Sequence, residues 1–320
     1  MKILANDGIS AEGVAALEDG GFEVSTSNVP QEALIDTINN EDYVGLLVRS
    51  ATKVREDLIN ACPGLKLIGR GGVGMDNIDV DYARSKGLHV INTPGASSQS
   101  VAELVIGQCF SLSRSTFDAN KEMPQNGHKD FKVLKKKYAK GQELRGKTLG
   151  IVGFGRIGQA LASYALGAGM DVKAVDLNTN PAAVPVQIGT AKTVFVSITP
   201  TDDMNSILGD CDYISLHVPK QPDGSAVMTA STFEKLKDGV ILVNAARGGV
   251  IDEDAVLEYL ENGKIRALAL DVFENEPTPR EDLLQHNKIA NTPHIGAATL
   301  EAQIRIGLEL AEQIINLLKS

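Results

Sequence analysis

The sequence has no tryptophan, and its three cysteines stand alone, without a Cys-x-x-Cys pair. Isolated thiols provide neither a disulfide framework nor a structural zinc site, and we expect no metal. We therefore expect Cys62, Cys109 and Cys211 to be reduced and buried. Long apolar runs are missing as well: none approaches the roughly 18 residues of a membrane span, and the N-terminus lacks the apolar segment of a signal peptide. These absences predict a cytoplasmic protein without a membrane partner.

Basic residues are also fewer than acidic ones. The 31 Lys and Arg residues are outnumbered by 41 Asp and Glu, which gives a net charge of −10. A nucleic-acid-binding surface needs a positive field, so we expect no nucleic-acid partner. A local group of cations can still bind a small anion. We interpret the run Lys135–Lys137, in the polar stretch 118–147, as part of a solvated or subunit-contact arm rather than as an anion site.

What the sequence does contain is a glycine-rich turn after an apolar run. Gly153, Gly155 and Gly158 have the spacing of a dinucleotide-binding turn. The first glycine permits a tight turn from strand to helix, and the second lets backbone N–H groups approach a pyrophosphate. The third lets the following helix pack closely on the sheet. A helical segment and an apolar strand come next, and Asp176 ends that strand 18 residues after Gly158.

Asp176 indicates which dinucleotide binds. A carboxylate at this distance from the glycines accepts hydrogen bonds from the adenosine ribose. Its charge would repel a 2′-phosphate, and no arginine follows in the stretch 177–180. The sequence therefore predicts NAD rather than NADP.

Strand-like and helix-like patterns alternate through residues 1–95, which predicts a small α/β domain with a parallel sheet. The Pro- and Gly-containing stretch 92–98 marks a boundary, after which a helical pattern begins. A second series of strands surrounds the glycine turn and continues to residue 295. Residues 178–205 contain three prolines and have no clear assignment. The chain ends in a pattern of helical period over 300–318.

Three polar residues, Arg247, Glu276 and His294, follow successive predicted strands of the second domain. Ligands bind at the carboxyl ends of parallel strands, so these side chains are candidates for a common site. An arginine can bind a substrate carboxylate in bidentate fashion and polarise a carbonyl. A histidine can exchange the hydroxyl proton while hydride moves, and a carboxylate beside it orients the ring. Each also has a purely structural alternative: an ion pair, an exposed loop carboxylate and a core histidine.

Several ordered motifs resemble one family of enzymes over nearly the whole chain. They are Gly-Phe-Gly-Arg-Ile-Gly, Leu-His-Val-Pro, Asn-Ala-Ala-Arg-Gly-Gly, Leu-Asp-Val-Phe with Glu276-Pro277, and Pro-His-Ile-Gly. The sequence is similar to the D-isomer-specific 2-hydroxyacid dehydrogenases. The resemblance implies a NAD-dependent oxidoreductase in which Arg247, Glu276 and His294 are catalytic and His294 is the acid/base. It also implies a homodimer.

The family fold has two Rossmann-like parallel-sheet domains, with the NAD-binding domain inserted into a flavodoxin-like substrate domain. The resemblance implies a discontinuous substrate (cap) domain, residues 1–96 plus 296–320, around a NAD-binding domain at 97–295. It implies the cofactor-binding residues Gly153, Gly155, Arg156, Ile157, Gly158, Asp176, His217, Pro219, Ala245, Ala246, Asp271 and Gly296. It places the substrate carboxylate on the backbone of Gly72, Val73 and Gly74.

Within the family, the stretches beginning at Leu47, Gly69 and Ser100 most resemble members that oxidise 3-phosphoglycerate. A small anionic 2-hydroxy or 2-oxo acid that carries a phosphate would make use of Arg49, Ser50 and Lys53 as donors. The alternative is that the two charges are merely solvated.

Other functions stay open at this point. Reduction of glyoxylate or hydroxypyruvate is the rival within the family, and a dinucleotide-sensing protein related to corepressors is the rival outside enzymes. The chain stops at Ser320, without the C-terminal regulatory domains of longer relatives. We therefore expect no inhibition by serine through such a domain.

Overall fold

The structure, a computed structural model, describes residues 1–319. The chain forms two compact units, one made of Met1–Ser100 with the segment that begins at Ala297, the other of Val101–Gly296. Among the described helices, none combines the length and apolar character that crossing a membrane requires. The predicted α/β architecture with parallel sheets is confirmed.

Residues 1–319 contain thirteen strands and twelve α-helices, which alternate along most of that length. The strands are β1 Lys2–Ala5, β2 Glu23–Ser25, β3 Tyr43–Val48, β4 Leu67–Arg70, β5 His89–Asn92, β6 Thr148–Val152, β7 Asp171–Val175, β8 Ala182–Ile188, β9 Lys192–Ile198, β10 Tyr213–Leu216, β11 Val240–Asn244, β12 Ile265–Leu270 and β13 Ile289–Asn291. The helices are α1 Ala11–Asp19, α2 Leu34–Asn40, α3 Glu56–Ala61, α4 Val80–Ser85, α5 Ser98–Arg114, α6 Thr116–Lys137, α7 Arg156–Gly167, α8 Asn205–Leu208, α9 Ala230–Phe233, α10 Glu253–Glu261, α11 Glu281–Gln285 and α12 Leu300–Lys319. A 3-10 turn at Gln31–Ala33 precedes α2.

The first unit is a five-stranded parallel sheet with the order β2-β1-β3-β4-β5. Its strands are short apolar runs because helices cover both faces of the sheet. One face packs against α2, α3 and α4, and the other against α1 and α12. A Cβ on Gly13 of α1 would lie 2.7 Å from the Cα of Gly307 in α12, so the two helices cross where neither has a side chain. The C-terminal helix thus belongs to the N-terminal sheet.

The second unit is a six-stranded parallel sheet with the order β13-β12-β11-β10-β6-β7. Its largest apolar core is built from β10, β11 and β12 with α9 and α10. Cys109 and Cys211 are buried free thiols here, as Cys62 is in the first unit. Their burial agrees with the prediction, and it raises the pKa of the Cys62 thiol to about 11 and those of the other two to about 12.

The unassigned stretch 178–205 contains an antiparallel hairpin, β8 with β9. It packs against α7, where the Ser163 hydroxyl donates to the Pro185 carbonyl at 2.5 Å and Val184 is fully buried. The chain then returns to the sheet edge, because the amide of Thr201 donates to the Ala174 carbonyl and its own carbonyl accepts from Asp176. A hairpin therefore stands where a crossover between parallel strands usually has a helix.

The polar stretch predicted as an arm contains a long helix, α6, which includes Pro124 and is kinked at Asp130. Its apolar residues are not all covered: Phe131 and Val133 are 56% and 63% exposed. The lysines at 135–137 lie in its last turn, where cations interact favourably with the helix dipole.

Candidate active site

The predicted acid/base and its carboxylate lie side by side at the carboxyl edge of the second sheet. Nδ1 of His294 is 2.8 Å from Oε2 of Glu276. The other carboxylate oxygen, Oε1, accepts the N–H of Phe273 at 2.9 Å. Because Glu276 is fixed through one oxygen and holds the ring through the other, Nε2 of His294 is the nitrogen that can exchange a proton with a substrate.

The charge state of Glu276 follows from its surroundings. Burial opposes its ionisation, but hydrogen bonds from His294 and the N–H of Phe273 favour the anion, as do the charges of His294 and Arg247. These attractions prevail and hold the pKa of the Glu276 carboxyl below its usual value. The group is therefore an anion at neutral pH and stabilises a protonated imidazole beside it.

His294 sits in a turn built around the buried carboxylate of Asp271. One oxygen of Asp271 accepts the Ile295 N–H and the Thr292 hydroxyl, and the other accepts the Gly296 N–H, all at 2.6–2.8 Å. The backbone of His294 is left-handed, with φ of +54°. A left-handed backbone is uncommon for a residue with a side chain and occurs at functional sites. The turn directs the imidazole toward Glu276 rather than into the core.

Arg247 lies in the turn after β11, beside the loop that carries Glu276. The Asn244 side chain holds this turn from both ends: its Oδ1 accepts the Ala246 N–H, and its Nδ2 donates to the Arg247 carbonyl. A Cβ on Gly248 would lie 1.8 Å from the carbonyl oxygen of Phe273, so only glycine lets the two loops approach. The positive charge of Arg247 is one of the influences that lower the pKa of the Glu276 carboxyl. The structure thus brings together the predicted trio.

The glycine turn joins β6 to α7. Its three glycine positions differ in what a side chain placed there would meet. Gly153 has φ of +96°, and a Cβ there would lie 2.5 Å from the His217 carbonyl oxygen. A Cβ on Gly158 would lie 2.3 Å from the Gly153 carbonyl oxygen. Gly155 has neither constraint, because its φ is −73° and nothing lies within 4 Å of its would-be Cβ. Open space in front of a glycine with ordinary backbone is what a close-lying pyrophosphate requires.

Further predicted cofactor residues follow strands of the same sheet or begin the helix after the turn. Arg156 and Ile157 begin α7, whose first turn has no side-chain cap and so offers N–H donors to phosphates. The carboxylate of Asp176 accepts from the N–H groups of Phe154 and Asn178, which holds it beside the turn. Nδ1 of His217 is buried with no hydrogen-bond partner in the part of the chain described, which leaves a donor or acceptor for a ligand. Pro219 follows at an exposed position, and Ala245 and Ala246 lie in the Arg247 turn.

The predicted substrate residues of the first unit follow β3 and β4. Arg49, Ser50 and Lys53 form part of an irregular loop after β3, in which Ser50 and Lys53 are exposed. Gly72 has φ of +141°, and its carbonyl accepts the N–H of Thr93. The Val73 carbonyl accepts from the Asn92 side chain. Gly74 continues this irregular segment. Both loops therefore lie at the carboxyl edge of their sheet, where ligands bind.

Comparison with known proteins identifies this arrangement. The sequence model described as "D-isomer specific 2-hydroxyacid dehydrogenase, NAD binding domain" matches residues 106–296. The chain belongs to the D-isomer-specific 2-hydroxyacid dehydrogenase family. It is a NAD-dependent enzyme of that family. In the described residues, no group of three His, Cys, Asp or Glu side chains is placed to hold a metal.

The relatives carry two kinds of names. A hydroxypyruvate reductase of Thermotoga maritima is 41% identical, over 98% of this chain and 97% of the relative. The D-3-phosphoglycerate dehydrogenase of Rattus norvegicus is 40% identical over 99% of this chain, which spans only 56% of that relative. A NAD⁺-bound 3-phosphoglycerate dehydrogenase structure from Entamoeba histolytica has a TM-score of 0.78 and 28% identity, and covers 100% of this chain and 96% of its own.

The structure of this dehydrogenase adds residues that sequence reasoning missed. Asn244 could have been found, since an Asn at a strand end is a typical signal of a side-chain-stabilised turn. Glu253 is 8% exposed, and its carboxylate accepts the N–H of Glu274, next to the Glu276 loop. Asp7, Gln31 and Asn77 hold the loop after β3. No spacing in the sequence points to these last four.

Proposed function

We propose that the chain catalyses the NAD-dependent oxidation of D-3-phosphoglycerate to 3-phosphohydroxypyruvate, the first step toward serine, with His294 as the acid/base. The hydrogen-bonded pair of His294 and Glu276, 2.8 Å apart in a turn beside Arg247, is the observation that carries the chemistry. The pair supplies a base for a hydroxyl proton and an anion that stabilises the resulting imidazolium.

The residues divide the reaction as follows. Nε2 of His294 takes the proton of the C2 hydroxyl, and Glu276 stays ionised and holds Nδ1. The glycine turn, Gly153 to Gly158, would hold NAD, which when bound would supply the acceptor for the hydride that leaves C2. Arg247 binds the substrate carboxylate and polarises the developing C2 carbonyl. In the opposite direction the same histidine returns the proton to the oxygen.

The phosphorylated substrate is supported by the cations after β3. Arg49 and Lys53 flank the irregular loop of the first unit, and a dianion gains more from such donors than an uncharged hydroxymethyl group does. The relatives named D-3-phosphoglycerate dehydrogenase cover nearly all of this chain. The name of the Thermotoga relative supports a second candidate function, the reduction of hydroxypyruvate. That reaction uses the same chemistry on a substrate without a phosphate.

A substrate panel tests the proposal. Initial rates with NADH and 3-phosphohydroxypyruvate, hydroxypyruvate or glyoxylate give kcat/KM for each acid. We expect the phosphorylated acid to be preferred at least about 100-fold, the worth of two charge-assisted hydrogen bonds. A preference for hydroxypyruvate or glyoxylate would instead assign the second candidate.

The subunit arrangement is part of the proposal. We propose a cytoplasmic homodimer whose contact uses α5 and α6, because Phe110, Phe131 and Val133 are exposed by 49%, 56% and 63%. Isolated apolar side chains are common on surfaces, but a series on neighbouring helices is typical of an interface. Light scattering of the purified protein should give a mass near twice 34.0 kDa, and Phe131→Lys should lower it. A wild-type monomer at micromolar concentration would contradict this arrangement.

A further inference from the structure

The loop Arg49–Lys53 of the first unit has no regular structure, yet six of its ten backbone N–H and carbonyl groups form hydrogen bonds with side chains outside the loop. Asp7, just after β1, accepts two of its N–H groups on one carboxylate oxygen: Oδ2 is 2.6 Å from the amide of Arg49 and 3.1 Å from that of Thr52. The other oxygen, Oδ1, accepts the hydroxyl of Thr52 at 2.6 Å. A single carboxylate therefore fixes both sides of the loop.

Two further side chains form hydrogen bonds with two carbonyls of the loop and with its last residue, Lys53. Nδ2 of Asn77 donates to the carbonyls of Arg49 and Thr52, at 2.9 and 2.6 Å. Gln31 bonds both backbone groups of Lys53, accepting its N–H at 2.9 Å and donating to its carbonyl at 2.8 Å. Six backbone groups are thus held by three side chains. Thr52 is 4% exposed, whereas Ser50 and Ala51 form the exposed apex.

A loop held only for stability needs neither an exposed apex nor cations on both sides of it. The N–H and carbonyl groups of Arg49 and Lys53 are both hydrogen-bonded, as are those of the buried Thr52, so the points from which the two long cationic side chains extend are fixed. Fixing these points lowers the entropy cost of placing both cations on one anion. The charge of Asp7 itself would repel an anion, so its contribution to binding has to come from geometry.

We propose that Asp7 is a positioning residue that fixes the loop Arg49–Lys53 and thereby sets the selectivity for phosphorylated over non-phosphorylated 2-oxo acids. The inference rests on the proposed function, in that a phosphate is the group the loop binds. Asn77 and Gln31 act with Asp7 through the carbonyls and Lys53. All three act on substrate binding by holding the loop.

The test compares Asp7→Ala with Asp7→Asn. Both loop amides bond the same oxygen of Asp7, so the single carbonyl oxygen of asparagine can accept both, whereas alanine loses them. With saturating NADH, we expect Asp7→Ala to raise KM for 3-phosphohydroxypyruvate at least about tenfold, while kcat and KM for hydroxypyruvate change less than about twofold. Asp7→Asn should keep KM for the phosphorylated acid within about threefold of wild type.

A matched control separates positioning from stability. Asp212 also accepts a backbone N–H, that of Thr148, but at the amino-terminal edge of the second sheet. Asp212→Ala should lower Tm and leave the ratio of the two KM values unchanged. If Asp7→Ala does not fold, Gln31→Ala removes the exposed clamp on Lys53 and should raise KM for the phosphorylated acid alone, about threefold.

The outcomes separate the two proposals. A wild-type preference for hydroxypyruvate refutes the proposed function and the selectivity with it. A wild type that prefers the phosphorylated acid, with Asp7 variants that shift both KM values equally, refutes the inference alone. Failure of Asp7→Asn to restore KM also overturns it, because geometry would then not be the cause.

Discussion

The glycine turn of the second unit and the loop Arg49–Lys53 of the first are both irregular segments at the carboxyl edge of a parallel sheet, but they are fixed in opposite ways. The turn owes its shape to Gly153, Gly155 and Gly158, which lie within six positions of one another. The loop owes its shape to side chains that lie 22 to 45 positions away. The first is encoded locally and the second by tertiary structure.

The difference matches what each segment is proposed to bind. A pyrophosphate is recognised by backbone N–H groups and a helix N-terminus, which any sequence with well-placed glycines provides. A particular acid is proposed to be recognised by side chains at the ends of a loop, and that loop is held by side chains from elsewhere in the chain. The cofactor turn therefore depends on its own glycines, whereas the substrate loop depends on residues distant in sequence.

The largest expected effect is on kcat, and it comes from a substitution that leaves both the glycine turn and the loop Arg49–Lys53 unchanged. His294→Asn removes the proton-exchanging nitrogen without changing the glycine turn or the loop after β3. We expect kcat to fall about 1,000-fold, within the usual range for loss of a general acid/base, while KM for the acid changes less than about threefold. Steady-state kinetics and NADH binding by fluorescence would check this. Full turnover by the variant would refute the assigned role of His294.

The next comparison tests the glycine turn itself. Gly155→Ala should fold normally, since its Cβ meets no protein atom within 4 Å, but NADH affinity should fall at least about tenfold because the methyl group occupies the pyrophosphate space. Gly158→Ala is the matched control, because its Cβ would lie 2.3 Å from the Gly153 carbonyl oxygen. It should lose about 3 kcal/mol of unfolding free energy. Calorimetry and NADH titration measure both; unchanged NADH affinity in Gly155→Ala would remove the argument for a bound pyrophosphate.

These contrasts also explain how much of the molecule could be predicted. Strand ends, the glycine turn and the Arg247, Glu276 and His294 trio carry their signal within a few residues, and sequence reasoning found them. The hairpin β8–β9 was missed because it interrupts the expected strand–helix alternation with prolines and β-branched residues. Tertiary packing on α7, which leaves no period in the sequence, decides its conformation.

The positioning residues were missed for a related reason. Glu253 looks like an ordinary acidic residue in the first turn of a helix, where the dipole favours it. Its burial and its bond to the N–H of Glu274 depend on a loop 21 positions away. The role of Asp7 and Asn77 likewise becomes evident only in the folded chain, where both side chains form hydrogen bonds with the backbone of the loop Arg49–Lys53.

Glu253 allows a similar test in the second unit, with a smaller expected effect, of whether a residue distant in sequence positions the loop that carries Glu276. Its Oε1 accepts the Glu274 N–H at 3.0 Å, two residues before the predicted catalytic carboxylate. Burial raises the pKa of the Glu253 carboxyl, more than that hydrogen bond lowers it. We expect Glu253→Ala to lower kcat about tenfold, whereas Glu253→Gln, which keeps an acceptor oxygen, stays within about threefold. The exposed Glu258 on the same helix is the control. If both variants lose kcat equally, the bond to Glu274 is not the cause.

The smallest expected effect concerns the glycine turn's neighbour His217. Burial lowers the pKa of its imidazole from 6.5 to about 4, so the folded chain keeps it neutral. Between these values the unfolded chain binds a proton that the folded chain does not, so stability is complete above pH 6.5 and falls as pH drops toward 4. One proton gives a slope of at most about 1.4 kcal/mol per pH unit. Urea unfolding from pH 7 to 4.5 should show a shallower slope in His217→Asn. The same substitution at His89, which is exposed, should leave the wild-type slope, and equal slopes in all three proteins would show that the burial of His217 has no such cost.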